Sequence, residues 1–325
     1  MIGRSEISDA ASKLINGALV AFPTETVYGL GANATNRNAI NRVFQVKARP
    51  VNHPLIVHIS SISQLEKWAI EIPEYAIKLA THYWPGPLTL ILESSGLASD
   101  LVTGGQKNIG IRIPSHPVAL DLLREFEKLG GLGIAAPSAN KFGAVSPTTA
   151  QDVVKEIGDY LSDNDLVIDG GECLIGIEST IINCTRSQPT ILRFGAIVKE
   201  NAEQVAGVKF KSSEDNERIR VSGQFKSHYS PKAEVILDKS AKKNDGFIAF
   251  ADIPTPNGAI RLSSPNSVEE YGAQLYKSLR LGDELGIKKI FVIAPEGDGL
   301  AEAIRDRLNK SSAKVPDQSS KIRSV

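Results

Sequence analysis

The sequence predicts an α/β protein: a strand-rich α/β domain followed by a smaller, doubly wound α/β domain. Its 325 residues exceed what one hydrophobic core usually supports, so two domains are expected. Helix-like and strand-like patterns alternate across residues 1–200 and again beyond residue 232. Between them, residues 201–231 are polar, charged and poor in aliphatic side chains, which predicts a linker rather than part of a core.

The elements of the first domain follow from periodicity and from the residues that interrupt it. Ile40, Val43 and Phe44 share one helical face, while short apolar runs bounded by Pro and Gly are typical of strands. Pro147 is expected to be the first residue of a helix, where its missing N–H costs little. The predicted order is a helix at 8–15, a strand at 19–22, a helix at 36–46, strands at 55–59, 88–92 and 109–113, a helix at 117–126, a strand at 134–136, a helix at 148–157, and strands at 167–168, 180–182 and 191–192.

The second domain has the order strand, strand, helix, strand, helix, which suggests a small doubly wound unit. Its elements are predicted at 235–237, 247–250, 267–285, 290–293 and 299–309. The predicted division of the chain is a first domain at 1–200, a linker at 201–231, a second domain at 232–312 and a frayed tail at 313–325.

The composition limits the classes of partner and compartment. Lys plus Arg and Asp plus Glu both number 37, so no global field attracts polyanions, and strong direct binding of nucleic acid is not expected. Cys173 and Cys184 form no CxxC pair, which argues against a zinc site or a disulfide framework and favours the reducing cytoplasm. Apolar runs are too short to span a bilayer, so no membrane association is expected.

Residues 22–34, FPTETVYGLGANA, combine a glycine pattern with hydroxyl side chains. Gly29 and Gly31 have the spacing of a dinucleotide-binding loop, but such a loop needs an acidic residue about 20 positions later, and the next one after Glu25 is Glu66. Cations fill the interval instead, which favours a site for negative charge. An ordinary strand with a glycine turn remains equally open, and in either case the glycines are expected to let the backbone turn tightly.

Cationic side chains lie near several predicted element ends. Lys47 and Arg49 flank a helix end, because the residue before Pro50 is pushed out of the helical region, and they either satisfy that terminus or face phosphates. Arg112 points away from its isoleucine neighbours in a predicted buried strand. Its guanidinium therefore needs a carboxylate, supplied by the protein or by a ligand.

Small polar side chains follow other predicted strands, as in 137–140 (PSAN) and 176–180 (GIEST). Turn chemistry alone explains such residues, but α/β folds also place ligand sites at the carboxyl ends of strands. No Gly-x-Ser-x-Gly elbow, Walker loop or His-Glu-x-x-His occurs. This pattern suits an enzyme that binds a nucleoside triphosphate and small acids and acts by placement and charge stabilisation.

These segments, taken in order, resemble a known family. FPTETVYGLGANA, KARPxxxPLIVHI, WPGPLTLIL, GIRIPSHP, APSANxFGxxSPT, GIESTII and LRFG are similar to blocks of the YrdC-like threonylcarbamoyl-adenylate synthases, in the long form with a C-terminal extension. The blocks span about residues 5–200, and 228–231 (HYSP) resembles the linker signature of the family. The resemblance implies an open, twisted, mixed sheet followed by a small Rossmann-like domain.

The resemblance also implies a reaction. L-threonine, bicarbonate or carbon dioxide, and ATP with Mg²⁺ would give threonylcarbamoyl-AMP and pyrophosphate. A separate transferase complex would then use the product to modify the tRNA adenosine beside the anticodon. The enzyme would be a nucleotidyltransferase with no metal ligand assigned to the protein itself.

The same resemblance assigns roles to individual residues. L-threonine would be held by Thr26, His58, Arg112 and Ser179. ATP would be held by Lys47, Arg49, His53, Asn108, Ala136, Ser138, Asn140, Ser146, Arg193 and Tyr229. Lys47, Arg49 and Arg193 would absorb charge in the catalytic step, and Tyr229 would close over the nucleotide as a lid.

The chain departs from the family pattern at Asn108, where a hydroxyl residue is common, at His53, and in the linker segment 221–227. Two other functions stay open. One is an RNA-binding or ribosome-maturation module of the same fold, which zero net charge disfavours. The other is an NADP-linked oxidoreductase in which Arg37 or Arg42 would bind the extra phosphate.

Overall fold

The computed structural model describes residues 3–211, 219–224 and 228–313. Within these ranges the chain forms a large mixed sheet with helices, and a smaller parallel sheet with two helices. Parts of the predicted linker (212–218 and 225–227) and nearly all of the predicted tail (314–325) lie outside the described residues. The α/β class predicted from the sequence is observed.

The large sheet has ten strands, and its main path runs β10-β9-β5-β6-β3-β7-β2-β1-β8, with β4 on β5. Both parallel and antiparallel pairs occur, such as β3 with β6 and β5 with β6. The strands are β1 (Val20–Phe22), β2 (Gly29–Asn33), β3 (Ile56–His58), β4 (Ala69–Ile70), β5 (Leu88–Ser94), β6 (Asn108–Arg112), β7 (Ile134–Ala135), β8 (Leu166–Val167), β9 (Thr180–Asn183) and β10 (Thr190–Arg193). The accompanying helices are α1 (Arg4–Ile15), α2 (Arg37–Lys47), α3 (Leu65–Trp68), α4 (Glu74–Tyr83), α5 (Asp100–Thr103), α6 (Pro117–Lys128), α7 (Ala150–Ile157) and α8 (Lys199–Ala206).

Strand alternation gives this sheet two different faces. Val57, Leu90, Ile111 and Ile182 are linked by the strand register and belong to the largest buried apolar cluster. Their neighbours in sequence, including His58 and Arg112, point to the opposite face. Helices α1 and α6 cover part of that second face. The rest of it is where polar side chains collect.

The smaller sheet is parallel throughout, in the order β11-β14-β12-β13. Its elements are β11 (Glu234–Leu237), β12 (Gly246–Ile248), β13 (Ile260–Ser263), α9 (Val268–Glu284), β14 (Lys289–Val292) and α10 (Leu300–Ser312). Strand β13 was missed from the sequence although Ile260 and Leu262 alternate with polar residues. Val27, Val145 and Ile177 of the first part of the chain share a buried cluster with α9 and α10, so the two parts pack against each other.

Three local predictions were wrong. Gly29 and Gly31 do not form a turn but lie in β2, where a side chain at Gly31 would collide with Phe22 and Ile134. Helix α7 begins at Ala150, because Thr149 caps it with a reciprocal bond to Asp152, so Pro147 precedes the helix. The segment just after residue 200 is not a linker.

The start of the predicted linker is part of the first core. Helix α8 packs against α4, and Ala202, Ala206 and Phe210 belong to the largest apolar cluster. The small size of the two alanines hid this contact from composition alone. The helices of the described residues are too short or too polar to cross a membrane.

Candidate active site

A cavity lies on the second face of the large sheet, beside the last residues of β3, β6 and β10. It holds about 560 Å³ of space not filled by atoms, part of it open to solvent. Its walls come from the sheet, from the loop after β7, and from the segments at 222–223 and 228–229. The lining residues are Thr24, Thr26, Val27, Gly29, Arg49, Ile56, His58, Arg112, Ala136, Pro137, Ser138, Glu178, Arg193, Ser222, Gly223, His228 and Tyr229.

The structure brings together eight of the predicted site residues around this cavity: Thr26, Arg49, His58, Arg112, Ala136, Ser138, Arg193 and Tyr229. The other six, Lys47, His53, Asn108, Asn140, Ser146 and Ser179, do not line it. Arg37 and Arg42 are also elsewhere: Arg42 holds Asp165 through both terminal nitrogens and Arg37 pairs with Asp100 at the surface. The arginines required for an NADP phosphate are therefore already paired away from the cavity.

Arg112 has a protein carboxylate as its partner. Its Nη2 donates to Glu25 Oε1 at 2.7 Å and its Nε donates to the carbonyl of Gly86 at 3.3 Å. The second oxygen of Glu25 accepts the backbone N–H of Ser115 at 3.0 Å. Both side chains are at least 94% buried, with 5% and 6% exposure. The sequence left protein or ligand as the source of this carboxylate, and the structure shows Glu25 in that place.

His58 is the neighbour of Arg112 across parallel strands, because β3 and β6 pair these two residues in register. Burial, and then the Arg112 guanidinium, lower the pKa of His58 to about 3. The imidazole is therefore neutral near pH 7 and can both donate and accept a hydrogen bond. Its Nδ1 is buried without a hydrogen-bond partner among the described residues.

Arg49 and Arg193 meet at Ser222 on the far side of the cavity. Arg49 donates to the Ser222 hydroxyl at 3.0 Å, and Arg193 donates to the Ser222 carbonyl at 3.1 Å. Arg193 also donates to the carbonyl and the hydroxyl of Ser179, each at 3.0 Å. The Nε of Arg49 is buried and unpartnered within the described structure. Two cations thus share one small region of the wall.

Lys47 supports the site from behind. The helix α2 ends at Lys47, and Ala48 adopts a left-handed conformation with φ 50°, so the next residue, Arg49, points in a different direction. The Lys47 ammonium donates to the carbonyls of Ser138, at 2.5 Å, and of Asn140. Burial, and then Arg49, lower the pKa of Lys47 well below its ordinary value. In this conformation Lys47 holds the loop that follows β7.

The remaining predicted residues are close to the cavity but engaged elsewhere. Ser179 bonds to Thr89 at 2.7 Å, and the Asn140 amide donates to the carbonyls of Lys141 and Ala144. His53 packs edge-on against Phe142. Asn108 lies in a neighbouring crevice of the same sheet face, which residues 219–222 cover.

Glu178 is a site residue that the sequence analysis did not assign. It lines the cavity, is 6% exposed, and accepts hydrogen bonds from Ser146 at 2.6 Å, from Tyr276 of α9 and from Arg307 of α10. Burial opposes its ionisation, but Arg307 and then Arg193 lower its pKa to about 2. The carboxylate beside hydroxyls in the GIEST segment was the available signal. Thr24, Ser222 and His228 also line the cavity and were not assigned.

Tyr229 and His228 form the upper wall. The Tyr229 ring stacks on the Tyr276 ring, with centroids 5.7 Å apart. The backbone of Tyr229 has an uncommon positive φ of 60°. Helix α10 holds the backbone here, since Ser311 donates to the Tyr229 carbonyl at 3.0 Å. Burial raises the pKa of Tyr229, so the phenol stays protonated, and its Oη is buried and unpartnered among the described residues. Both residues line the cavity, and the role of Tyr229 as a lid stays a prediction.

Unsatisfied buried polar atoms concentrate around this cavity. Arg49 Nε, His58 Nδ1, His228 Nδ1 and Tyr229 Oη all belong to lining residues and have no hydrogen-bond partner in the described parts of the chain. Such atoms are rare in folded proteins because each costs free energy, and they commonly mark a ligand site. Three arginines and one carboxylate line the same space, which favours an anionic ligand.

The donor set does not fit a metal ion held by the protein. The described residues contain no cluster of three or more His, Cys, Asp or Glu side chains that could bind one. The single lining carboxylate, Glu178, is already bonded to Ser146, Tyr276 and Arg307. Mg²⁺ usually keeps several waters and binds through substrate phosphates, so it would arrive with a nucleotide rather than with this chain.

Two family models match consecutive parts of the chain. Residues 12–195 match the Sua5–YciO–YrdC family model, described as "Telomere recombination", and residues 197–313 match "Threonylcarbamoyl-AMP synthase, C-terminal domain". The chain is 41% identical to the threonylcarbamoyl-AMP synthase of Pyrococcus abyssi over 94% of each protein. It is 38% identical to that of Bacillus subtilis, over 94% of this chain and 93% of the relative.

A solved structure gives the same result for the fold. The crystal structure of P. abyssi Sua5 complexed with L-threonine has a TM-score of 0.85 and 37% identity, covering 96% of this chain and 95% of that one. The predicted fold, an open mixed sheet followed by a small Rossmann-like domain, is thereby confirmed. The sequence resemblance is confirmed as well. The chain belongs to the family of threonylcarbamoyl-AMP synthases, in the long form that carries the family's C-terminal domain.

Proposed function

We propose that this chain is a threonylcarbamoyl-AMP synthase that uses L-threonine, bicarbonate or carbon dioxide, and ATP, and releases pyrophosphate. The product would serve threonylcarbamoyl modification of the tRNA adenosine next to the anticodon. Near full-length relatives with this name support the activity. The observation that carries it here is a cavity lined by three arginines, with its one carboxylate already bonded to Arg307. Such a cavity receives anionic substrates and stabilises charge that develops on them.

L-threonine would lie over the strand pair β3 and β6. Arg112 would meet its carboxylate, because the guanidinium has donors beyond the one given to Glu25. The neutral imidazole of His58 and the hydroxyl of Thr26 would bind the polar groups of the amino acid without repelling its ammonium. Ser179 would act through Arg193 and Thr89, to which it is bonded.

ATP would occupy the side of the cavity near Arg49 and Arg193. Both arginines now bond to Ser222, and a triphosphate would compete for the same donors. Ser138 and the backbone at Ala136 would contact the nucleotide directly. Behind them, Lys47, Asn140 and Ser146 would maintain the loop that carries these contacts. His53 and Asn108 would affect binding of the nucleotide from the outer edge of the cavity.

The chemistry needs no covalent intermediate with the protein. The threonine ammonium first releases a proton to solvent, and the neutral amine attacks the carbon of carbon dioxide or bicarbonate to give a carbamate. With carbon dioxide the displaced N–H proton also passes to solvent, and with bicarbonate it leaves with the hydroxide as water. A carbamate oxygen then attacks the α-phosphorus of ATP, and the bond to the β-phosphate oxygen breaks to release pyrophosphate. Arg49 and Arg193 would absorb the charge that develops on the phosphates. Tyr229 would exclude water from the reactive carbamate and its mixed anhydride.

Pyrophosphate release from ATP, with threonine and bicarbonate omitted in turn, tests the proposal. We expect release only when all three substrates are present with Mg²⁺, and a new nucleotide product that mass spectrometry identifies as threonylcarbamoyl-AMP. Release that does not depend on threonine would contradict it. In the cell the reaction would take place in the cytoplasm, and a separate tRNA-modifying complex would consume the product.

Replacing Arg112 separates the threonine site from the ATP site. Arg112→Lys keeps a cation beside Glu25 but loses the guanidinium fork, and Arg112→Ala removes both. We expect the KM for threonine to rise about tenfold or more in both variants, since a hydrogen bond to a charged group contributes about 1.5–3 kcal/mol. The KM for ATP should change little. Arg42→Lys, whose arginine binds Asp165 away from the cavity, is the matched control.

An equal rise of both KM values would mean that Arg112 maintains the whole cavity rather than the amino-acid subsite. Isothermal titration of each variant with threonine alone, and with ATP alone, distinguishes these outcomes independently of turnover.

A further inference from the structure

Glu178 lies where the negative charge of a carboxylate would oppose binding of the proposed substrate, ATP. It lines the cavity that would receive a triphosphate, and Ser146 and Tyr276 donate to it without changing its charge. A bare negative charge at this position would repel phosphate oxygens through a medium that screens poorly. The compensation therefore has to come from a cation.

The second domain supplies that cation. Arg307, in α10, is fully buried and its Nε donates to Glu178 Oε2 at 2.8 Å. Its Nη2 donates to the Phe194 carbonyl at 2.9 Å, directly after Arg193 in the chain. Its Nη1 bonds to Asp306 at 2.7 Å. The guanidinium is thus held by both parts of the molecule and cannot turn away from Glu178 without losing these bonds.

Arg307 also reaches the lid. Its guanidinium carbon lies 5.4 Å from the centre of the Tyr229 ring, within the range of a cation–π contact. One turn further along α10, Ser311 holds the Tyr229 carbonyl. A single helix of the second domain therefore contacts two residues that line the cavity, the carboxylate of Glu178 and the ring of Tyr229.

We propose that Arg307 is a positioning residue for the ATP site: it compensates Glu178, so that the second domain completes an anion-receptive cavity in the first. This inference rests on the proposed function. It gives the C-terminal domain a chemical part in the reaction in addition to packing. Arg307 touches no reacting atom and acts on ATP through Glu178 and Tyr229.

A purely structural ion pair would behave differently when the charges are changed one at a time. Breaking such a pair lowers stability. It gives no reason for the affinity for ATP to follow the charge of Glu178 while the affinity for threonine stays the same. Compensation predicts that Arg307→Met weakens ATP binding and that adding Glu178→Gln restores it. The double variant also removes both partners of the buried pair, which costs much less than removing one.

Steady-state kinetics of pyrophosphate release in Arg307→Met, Glu178→Gln and the double variant test this. We expect Arg307→Met to raise the KM for ATP about tenfold or more, and to change the KM for threonine by less than about threefold. The double variant should return the KM for ATP to within about threefold of the unchanged protein. Arg305→Met is the control, because Arg305 lies in the same helix and donates to the carbonyls of Pro295 and Gly297 rather than to Glu178.

If Arg307→Met does not fold, Glu178→Gln carries the test: with Arg307 kept and the carboxylate removed, we expect the KM for ATP to fall, and an unchanged or higher KM would overturn compensation. A KM for ATP that stays high in a folded double variant would overturn compensation, as would a normal KM for ATP in folded Arg307→Met. Circular dichroism and thermal unfolding establish folding for each variant. If the unchanged protein itself releases no pyrophosphate in a threonine-dependent way, the proposed function fails, and this failure is distinct from failure of the role of Arg307.

Discussion

His58 is a titratable side chain that the fold keeps uncharged. It occupies the last position of β3, is 4% exposed, and lies beside Arg112. His53 and His228, also near the cavity, share this condition: burial and then neighbouring charge lower the pKa of His53 to about 4, and mainly burial lowers that of His228 to about 3. Neutral imidazoles let the cavity keep hydrogen-bonding groups without adding to the charge of its arginines.

These histidines make stability depend on pH. The folded pKa of His58 is about 3 and its ordinary value is 6.5, so between these values the unfolded chain binds a proton that the folded protein does not. Stability is therefore complete above the unfolded pKa and is lost as pH falls, by about 1.4 kcal/mol per pH unit for this residue. Glu178 loses its contribution only at lower pH, below its ordinary value of 4.5.

Urea unfolding between about pH 7 and about pH 5 measures this slope. We expect His58→Gln to make the slope shallower, by about 1 kcal/mol per pH unit on average over this range and by up to about 1.4 at its acid end, because glutamine does not titrate. His82→Gln, at an exposed position in α4, is the matched control. A slope in His58→Gln equal to that of the unchanged protein would mean that His58 is protonated in the folded state.

At the scale of an element, helix α2 and its end decide where two cations point. Asn36 caps the start of the helix by accepting the N–H groups of Asn38 and Ala39. At the other end Ala48 takes a left-handed conformation, which separates Lys47, bonded to the loop at 138–140, from Arg49, which faces the cavity. The helix ends at Lys47, three residues before Pro50 and close to the predicted end. The direction of each cation depends on that one left-handed residue.

Glycine adopts the left-handed conformation without the penalty that a β-carbon brings. We therefore expect Ala48→Gly to raise the free energy of unfolding by about 0.5–1 kcal/mol. Ala39→Gly, in the interior of the same helix, should lower it by about 1 kcal/mol or more. Urea denaturation of both variants gives the two signs. A loss of stability in Ala48→Gly would mean that the greater freedom of glycine in the unfolded chain outweighs the relieved strain.

At the scale of the whole molecule, the backbones of the two parts of the chain come into direct contact at Gly176 and helix α9. Gly176 has φ +75°, and a β-carbon there would lie 2.5 Å from the Gly272 carbonyl and 2.6 Å from the Cα of Ala273, both in α9. Two residues later, Glu178 reaches Arg307 and Tyr276 of the second domain. Close approach of Gly176 to α9 therefore brings the second domain into contact with the cavity.

Gly176→Ala should force the two parts of the molecule apart. We expect it to lower the free energy of unfolding by about 3 kcal/mol or more and to raise the KM for ATP, because the clash is with backbone that cannot move alone. Gly171→Ala is the matched control, since Gly171 has φ +87° with no atom within 4 Å of a new β-carbon. It should cost only the backbone strain, about 1 kcal/mol. Equal effects in the two variants would rule out the close contact with α9.

Much of the fold was predictable because it depends on local patterns. Short apolar runs bounded by Pro and Gly predicted most of the strands, and α2, α6 and α9 were found within a few residues of their observed ends. Strand β2 was missed because glycines in a sequence usually indicate a turn. Their reason for being in a strand is that Phe22 and Ile134 lie too close for a side chain at Gly31, and the sequence does not show this contact. Helix α8 was missed because its buried face consists of small alanines. Both errors come from contacts that lie far apart in the sequence.

The candidate site was also predictable only in part, for the same reason. Cations, hydroxyls and the family motifs are properties of the sequence, and they led to eight of the residues that line the cavity but not to Glu178. Asn140 and Ser146 were also identified, but their hydrogen bonds within the protein place them behind it. Which residues face the cavity depends on strand register and on loop packing, and neither can be read from a motif.

By itself the sequence determined the family, the two-part α/β architecture and the need of Arg112 for a carboxylate. The tertiary structure decided which carboxylate it is, Glu25, 87 positions away in the chain. It also decided that the charge of Glu178 is met by Arg307, 129 positions away and in the other domain. Charges pair when they are close in space, and burial raises the free-energy cost of leaving one of them unpaired. Both conditions arise only when the sheet register and the contact between the domains are formed.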